Sequence, residues 1–257
     1  MLPFDRRIFL AFIVLFVVYQ VPEGVGLRLL GSEAAFIGMM VGFHALAWVV
    51  GRVVLGARGF DAYEMRRTPG LVRNLGVTLA MAAGMKILAL IVGGALGVYA
   101  FTAPERGLGA AHVGVMLVAI VAASYFPSAA EDIVTRGFWH RVLRPTLSPA
   151  RFVAFSALVY VLNHVYRLAN GPLEWLMLFC FGLAYATALV RTGSLWPAIG
   201  LHWGWNIMGH GLPLLVGVEV RHDWASPLLA GGAHLLMLAA LLAAPDLLVR
   251  GPGPRPK

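Results

Sequence analysis

Eight nearly unbroken apolar stretches run through this sequence, at 8–22, 34–55, 75–101, 112–134, 152–168, 173–190, 195–216 and 226–249. No other feature constrains the fold as strongly. A bilayer core about 30 Å thick is crossed by about 20 residues of helix. Within it only helices and closed barrels satisfy their own backbone polar groups. The breaks between stretches are polar or carry proline and glycine: Pro22-Glu23-Gly24, 58–73, Pro104-Glu105-Arg106, Arg144-Pro145, Gly171-Pro172, Arg191-Thr192-Gly193 and 219–223. The first and fifth stretches are short, so seven spans would also fit. The expected fold is an all-α, polytopic integral membrane bundle of about eight transmembrane helices.

Composition supports that class. Hydrophobic residues make up 60% of the 257 and charged residues 12%, against about 25% charged in soluble domains. Too little charge is present to cover a water-soluble globule, which excludes a soluble enzyme, a nucleic-acid binder and a disordered chain. The net charge of +8 follows from topology. With the N-terminus inside, the inner segments hold fifteen basic residues (Arg6, Arg7, Arg52, Arg58, Arg66, Arg67, Arg73, Arg136, Arg141, Arg144, Arg151, Arg191, Arg250, Arg255, Lys257) and the outer segments four, Arg28, Arg106, Arg167 and Arg221. That is the positive-inside distribution. Both termini are therefore expected in the cytoplasm, and no nucleic acid or other acidic partner is needed. The arginine bias, with Lys86 and Lys257 the two lysines, resembles GC-rich bacterial coding and suggests a bacterial cytoplasmic membrane. No small-x-small site follows the first apolar run, so it reads as a retained span. Residues 1–250 read as one transmembrane domain with a motif-bearing core at about 112–216, followed by a disordered basic tail, 251–257. The lone cysteine, Cys180, permits no intramolecular disulfide.

Ionisable groups inside membrane helices are costly and call for a reason. Three clusters stand out: Glu131-Asp132-x3-Arg136, Tyr160-x2-Asn163-His164, and His202-x3-Asn206 after Thr192-Gly-Ser-Leu-Trp196. Asp132 and Arg136 are spaced i,i+4 and can pair, which leaves Glu131 beside them, about 100° around the helix. Tyr160 and His164 share a face, as do His202 and Asn206, with His210 farther along it. Three polar helix faces in one bundle must meet in its interior. HExxH, GxSxG and GxGD are absent. The residues leave two chemistries open: a carboxylate general base assisted by histidine and asparagine, or a metal site built from Glu131, His164 and His202. The remaining histidines, His44, His112, His140, His222 and His234, fit no constellation and read as structural. Gly93, Gly94, Gly97 and Gly182-x3-Ala186 suit close helix packing.

In order and spacing these clusters resemble the signature of the CAAX prenyl protease and bacteriocin-processing (CPBP) family of intramembrane endopeptidases. That signature reads Glu-Glu-x3-Arg, then Phe-x3-His, then a Thr-Gly-Ser-Leu-Trp run leading into His-x3-Asn. The resemblance covers about residues 125 to 210. Asp132 stands in place of the second Glu and Tyr160 in place of Phe.

The resemblance implies a membrane endopeptidase. Glu131 would deprotonate a water held between it and His164, and His202 and Asn206 would donate to the oxyanion. Arg136 would hold Asp132, with Tyr160 supporting. No cofactor is expected; the alternative is a zinc-dependent enzyme using Glu131, His164 and His202. A third reading, from another class, is a non-catalytic immunity or scaffold protein that keeps the fold. The expected partners are the lipid bilayer and a protein or peptide with a membrane-associated tail or leader, cleaved in a polar cavity open towards the inner leaflet. Counted from the inner helix ends at about 1.5 Å per residue, Glu131 and His202 lie about 10 Å deep and His164 nearer 20 Å. A break at Pro127 or a shifted helix boundary would reconcile them. A Glu131–His164 separation above about 10 Å would exclude a shared water.

Overall fold

The computed structural model describes residues 5–104, 109–244 and 246–250. The tail expected to be disordered, 251–257, lies outside the described residues. Among the described residues, the regular structure is helical apart from one small ribbon. Helix α1 (Arg6–Val21) runs on into a π-helical segment, Pro22–Leu29. Helices α2 (Glu33–Val53), α3 (Leu71–Ala95), α4 (Ala110–Asp132) and α5 (Phe138–Leu143) follow, then α6 (Pro149–Asn163), α7 (Pro172–Thr192), α8 (Trp196–Gly211) and α9 (Ala225–Ala243). Strands β1 (Tyr99–Thr102) and β2 (Gly217–Val220) pair antiparallel, Tyr99 opposite Val220, between the ends of α3 and α8.

Among the described residues, six helical segments are long and apolar enough to cross a membrane: Arg6–Leu29, Glu33–Val53, Leu71–Ala95, Ala110–Leu143, Pro172–Thr192 and Ala225–Ala243. The fifth and seventh apolar stretches form helices of 15 and 16 residues, α6 and α8, short of a full crossing. Each helix of the eight-stretch reading is present, but the set long enough to span is smaller. Lipid-facing positions are apolar, as Val72, Val115 and Val118 show, whereas Asp132 and Arg136 are sealed inside.

α8 is the central element. It packs on α3, α4 and α7, and its glycines allow the approach to α3. A Cβ at Gly204 would lie 2.8 Å from the Leu79 carbonyl oxygen, and one at Gly200 would collide with Thr78. Gly182 of α7 plays the same part against α6, where a Cβ would sit 2.6 Å from the Cα of Ala157. Gly93 makes room for Leu229 of α9 as well as for the ring of Tyr99, whereas Gly94 lies beneath the ring of Phe101 and Gly97 takes the left-handed conformation (φ 73°) that turns α3 into the strand.

The expected inner end of the fourth stretch, residue 134, is displaced. α4 passes through a π-helical turn, Ile133–Gly137, directly into α5, so the rod ends at Leu143. Arg136 does not stop it because its charge is met inside the protein. Counted from Leu143, Glu131 lies about 18 Å deep, level with His164 at about 22 Å from Pro149. Pro127 lies within α4 without ending it. α8 begins in the interior: Ser194 and Leu195 are buried, and the Leu195 N–H donates to the Glu64 carbonyl at 2.9 Å. Its first residue is therefore no measure of depth for His202.

Candidate active site

The π-helical turn follows directly after Glu131-Asp132. Such turns insert one residue into the helical register and occur often at functional sites. Thr135 Oγ1 returns a hydrogen bond to the Glu131 carbonyl at 2.7 Å, and Ser156 of α6 donates to the Thr135 carbonyl at 3.1 Å. The end of α4 is thereby tied to α6, whose C-terminus carries His164.

Glu131, His164 and His202 come together from α4, the end of α6 and α8. Glu131 Oε1 lies 3.2 Å from His164 Nε2, and Oε2 lies 3.5 Å from His202 Nε2. The far nitrogen of each imidazole is anchored. His164 Nδ1 is 2.8 Å from the Tyr160 carbonyl and must donate, since a carbonyl only accepts. His202 Nδ1 is 3.1 Å from Asp132 Oδ1 and donates to that carboxylate. Both neutral rings therefore carry their proton on Nδ1 and turn a lone pair on Nε2 towards Glu131. A carboxylate and an imidazole lone pair facing each other call for a proton between them. The geometry suits a group that takes up and releases one.

Asp132 and Arg136 form a fully buried ion pair one turn apart. The guanidinium also lies over the rings of Tyr160, at 5.0 Å, and Tyr185, at 5.1 Å. Tyr160 meets His164 edge-on, with ring centroids 4.7 Å apart. Asn206 stands apart from the three central groups: its Nδ2 donates to Ser128 Oγ at 3.0 Å, and Ser128 passes the bond to the Ser124 carbonyl at 2.8 Å. An amide has two N–H groups, so one remains for another acceptor. His210, on the same helix face by spacing, is exposed.

Asn163, part of the second cluster but given no role there, donates from Nδ2 to Glu131 Oε1 at 3.4 Å. Other contributors escaped the reading of the sequence. Gln20 of α1 donates to the Asn163 carbonyl at 2.9 Å and approaches its Oδ1 at 3.3 Å, with Tyr19 beside Glu131 and Asn163. A polar Tyr-Gln pair closing an otherwise apolar first stretch was the available signal. Tyr185, with His234 behind it, stacks on His202 and left no pattern along the chain.

Among the described residues, no three His, Cys, Asp or Glu side chains are grouped as a metal site.

No curated protein matches the chain significantly. Residues 112–208 match the family described as type II CAAX prenyl endopeptidase Rce1-like. That segment contains every motif residue from Glu131 to Asn206, together with the buried carboxylate and imidazoles they assemble. The motif-bearing core of the chain is thus similar to the type II CAAX prenyl endopeptidases, a family of membrane proteases.

Proposed function

We propose that the chain is an intramembrane endopeptidase whose base is Glu131. One observation carries the reading: each oxygen of a buried carboxylate faces the Nε2 of a different histidine, at 3.2 and 3.5 Å, and both rings are pinned through Nδ1. Water bound at Glu131 Oε1 and His164 Nε2 gives a proton to the carboxylate while its oxygen adds to the scissile carbonyl carbon. The carbonyl π pair moves to oxygen. The free N–H of Asn206 donates to that oxyanion, and preorganised donors of this kind lower barriers by about 2.7–4 kcal/mol. His202, with Nδ1–H committed to Asp132, donates from Nε2 only as imidazolium, after accepting the proton that Glu131 took from water. As the oxyanion collapses the C–N bond breaks, and the same proton passes to the leaving amine. Acid and amine leave, and the carboxylate is restored.

The substrate we propose is a protein or peptide with a membrane-associated tail or leader. The cavity opens towards the inner leaflet, with both termini on the cytoplasmic side. A peptide or anchored protein precursor is favoured over a prenylated CAAX tail, which bacteria usually lack. The test is cleavage by the purified protein of a farnesylated CAAX peptide, a leader peptide and a sorting-tail peptide, with and without chelator. Cleavage that chelator spares supports the reading, and cleavage that chelator abolishes assigns the same residues to a metal. Silence on all three, with the protein folded, favours the non-catalytic reading.

A further inference from the structure

The last helix, α9, lies outside the matched segment 112–208 and carries no motif, yet it reaches the site. His234 of α9 is fully buried. Its Nδ1 is 2.8 Å from the Ala230 carbonyl and so donates, which leaves Nε2 an acceptor. Tyr185 Oη lies 2.8 Å from that Nε2 and therefore donates to it. Tyr185 is also fully buried. Its ring lies against His202 at 5.1 Å between centroids and 19° between planes. His234 itself is clamped, with Phe181 stacked 3.4 Å away and Trp205 at 4.4 Å.

We infer that the Tyr185–His234 pair is a positioning device for His202, a role that rests on the reaction proposed above. Asp132 holds His202 by one atom, Nδ1, about which the ring can still swing. A flat surface along its face removes that freedom and keeps Nε2 directed at Glu131 Oε2. The surface is useful only if it cannot slide, and the hydroxyl bond to His234 stops it in its own plane. His234 is in turn fixed to the backbone of α9. Neither residue touches the reacting atoms. A buried tyrosine in a membrane protein could hydrogen-bond to any helix carbonyl. Here it is bound to an imidazole that is itself packed between two aromatic rings, which suits a rigid stop.

The test compares Tyr185→Phe, His234→Leu, the double variant and His234→Gln with wild type on whichever peptide is cleaved, with Glu131→Gln alongside. Tyr185→Phe keeps the ring and its packing, and each variant's kcat is corrected for its folded fraction. Tyr185→Phe and His234→Leu are each expected to lower kcat with KM within about twofold, the loss reaching about 100-fold if Nε2 moves by about 1 Å. The double variant should be no slower than the worse single one, because the two residues act as one unit. His234→Gln, whose amide oxygen can take the place of Nε2 as acceptor, should recover most of what His234→Leu loses. Unchanged kcat in both single variants, or losses that multiply in the double, would overturn the inference while leaving Glu131 in place. Full activity in Glu131→Gln would overturn the underlying reaction instead.

Discussion

Two buried glutamates among the described residues meet histidine. Glu131 meets His164 and His202 deep in the bundle. Glu64 meets His140, 3.6 Å from its Nδ1, in the segment between α2 and α3. What separates them is where the arginines go. Arg144 reaches Glu64, at 4.0 Å, and Arg66 adds its charge. Burial alone would push the Glu64 carboxyl up, but the imidazole of His140 beside it, with the charges of Arg66 and Arg144, holds it below the usual carboxylate range. Beside Glu131 the arginine is Arg136, and it is taken by Asp132. A carboxylate locked by cations anchors structure; one faced by two imidazole lone pairs can exchange a proton. Glu64 is also an anchor through its backbone. Its carbonyl accepts the Leu195 N–H that starts α8, and it is the one non-glycine among the described residues with positive φ (60°).

Removing the base should have the largest effect. Glu131→Gln keeps the shape and the Asn163 contact but cannot take a proton, so kcat should fall by about 10²–10⁴-fold with no change in melting temperature. Breaking the pair that frees Glu131 comes next. Arg136→Met leaves Asp132 charged and buried, at a cost of about 3–5 kcal/mol, read as a lower melting temperature and loss of folded protein in detergent. Glu64→Gln should cost less, about 1.5–3 kcal/mol, while kcat of the folded fraction stays near wild type.

The pH dependence sharpens the same contrast. The folded Glu64 carboxyl is depressed, so its stabilisation is present above the ordinary carboxylate pKa and is lost as pH falls through the lower, folded value. The melting-temperature gap between wild type and Glu64→Gln should therefore be full at neutral pH and close on acidification. A gap that widened in acid would contradict the assigned locking.

The i,i+4 spacings made Asp132–Arg136, Tyr160–His164 and His202–Asn206 legible as one-face devices, because helix geometry alone sets those relations. The partner of Asn163, the part played by Gln20 and the Tyr185–His234 pair were not legible, since each acts across helices far apart along the chain. The apolar stretches located eight of the nine described α-helices, missing α5, and misjudged two ends that matter to the site. Hydropathy stopped α4 at its charged residues, although Arg136 is neutralised inside and the rod continues to Leu143. Hydropathy also treated α8 as starting at a membrane surface, although its first turn is buried against Glu64. Both errors came from reading polarity as exposure. The first produced the apparent mismatch in depth between Glu131 and His164, which are in contact, and the second misplaced the depth of His202.

The most direct test of the central claim sets the two glutamates side by side. On one cleaved peptide, in the presence of chelator, kcat is measured for wild type, Glu131→Gln and Glu64→Gln, each corrected for folded fraction. The expected result is cleavage by wild type and Glu64→Gln at similar kcat and none above background by Glu131→Gln. Equal kcat for wild type and Glu131→Gln would contradict the assignment of the base.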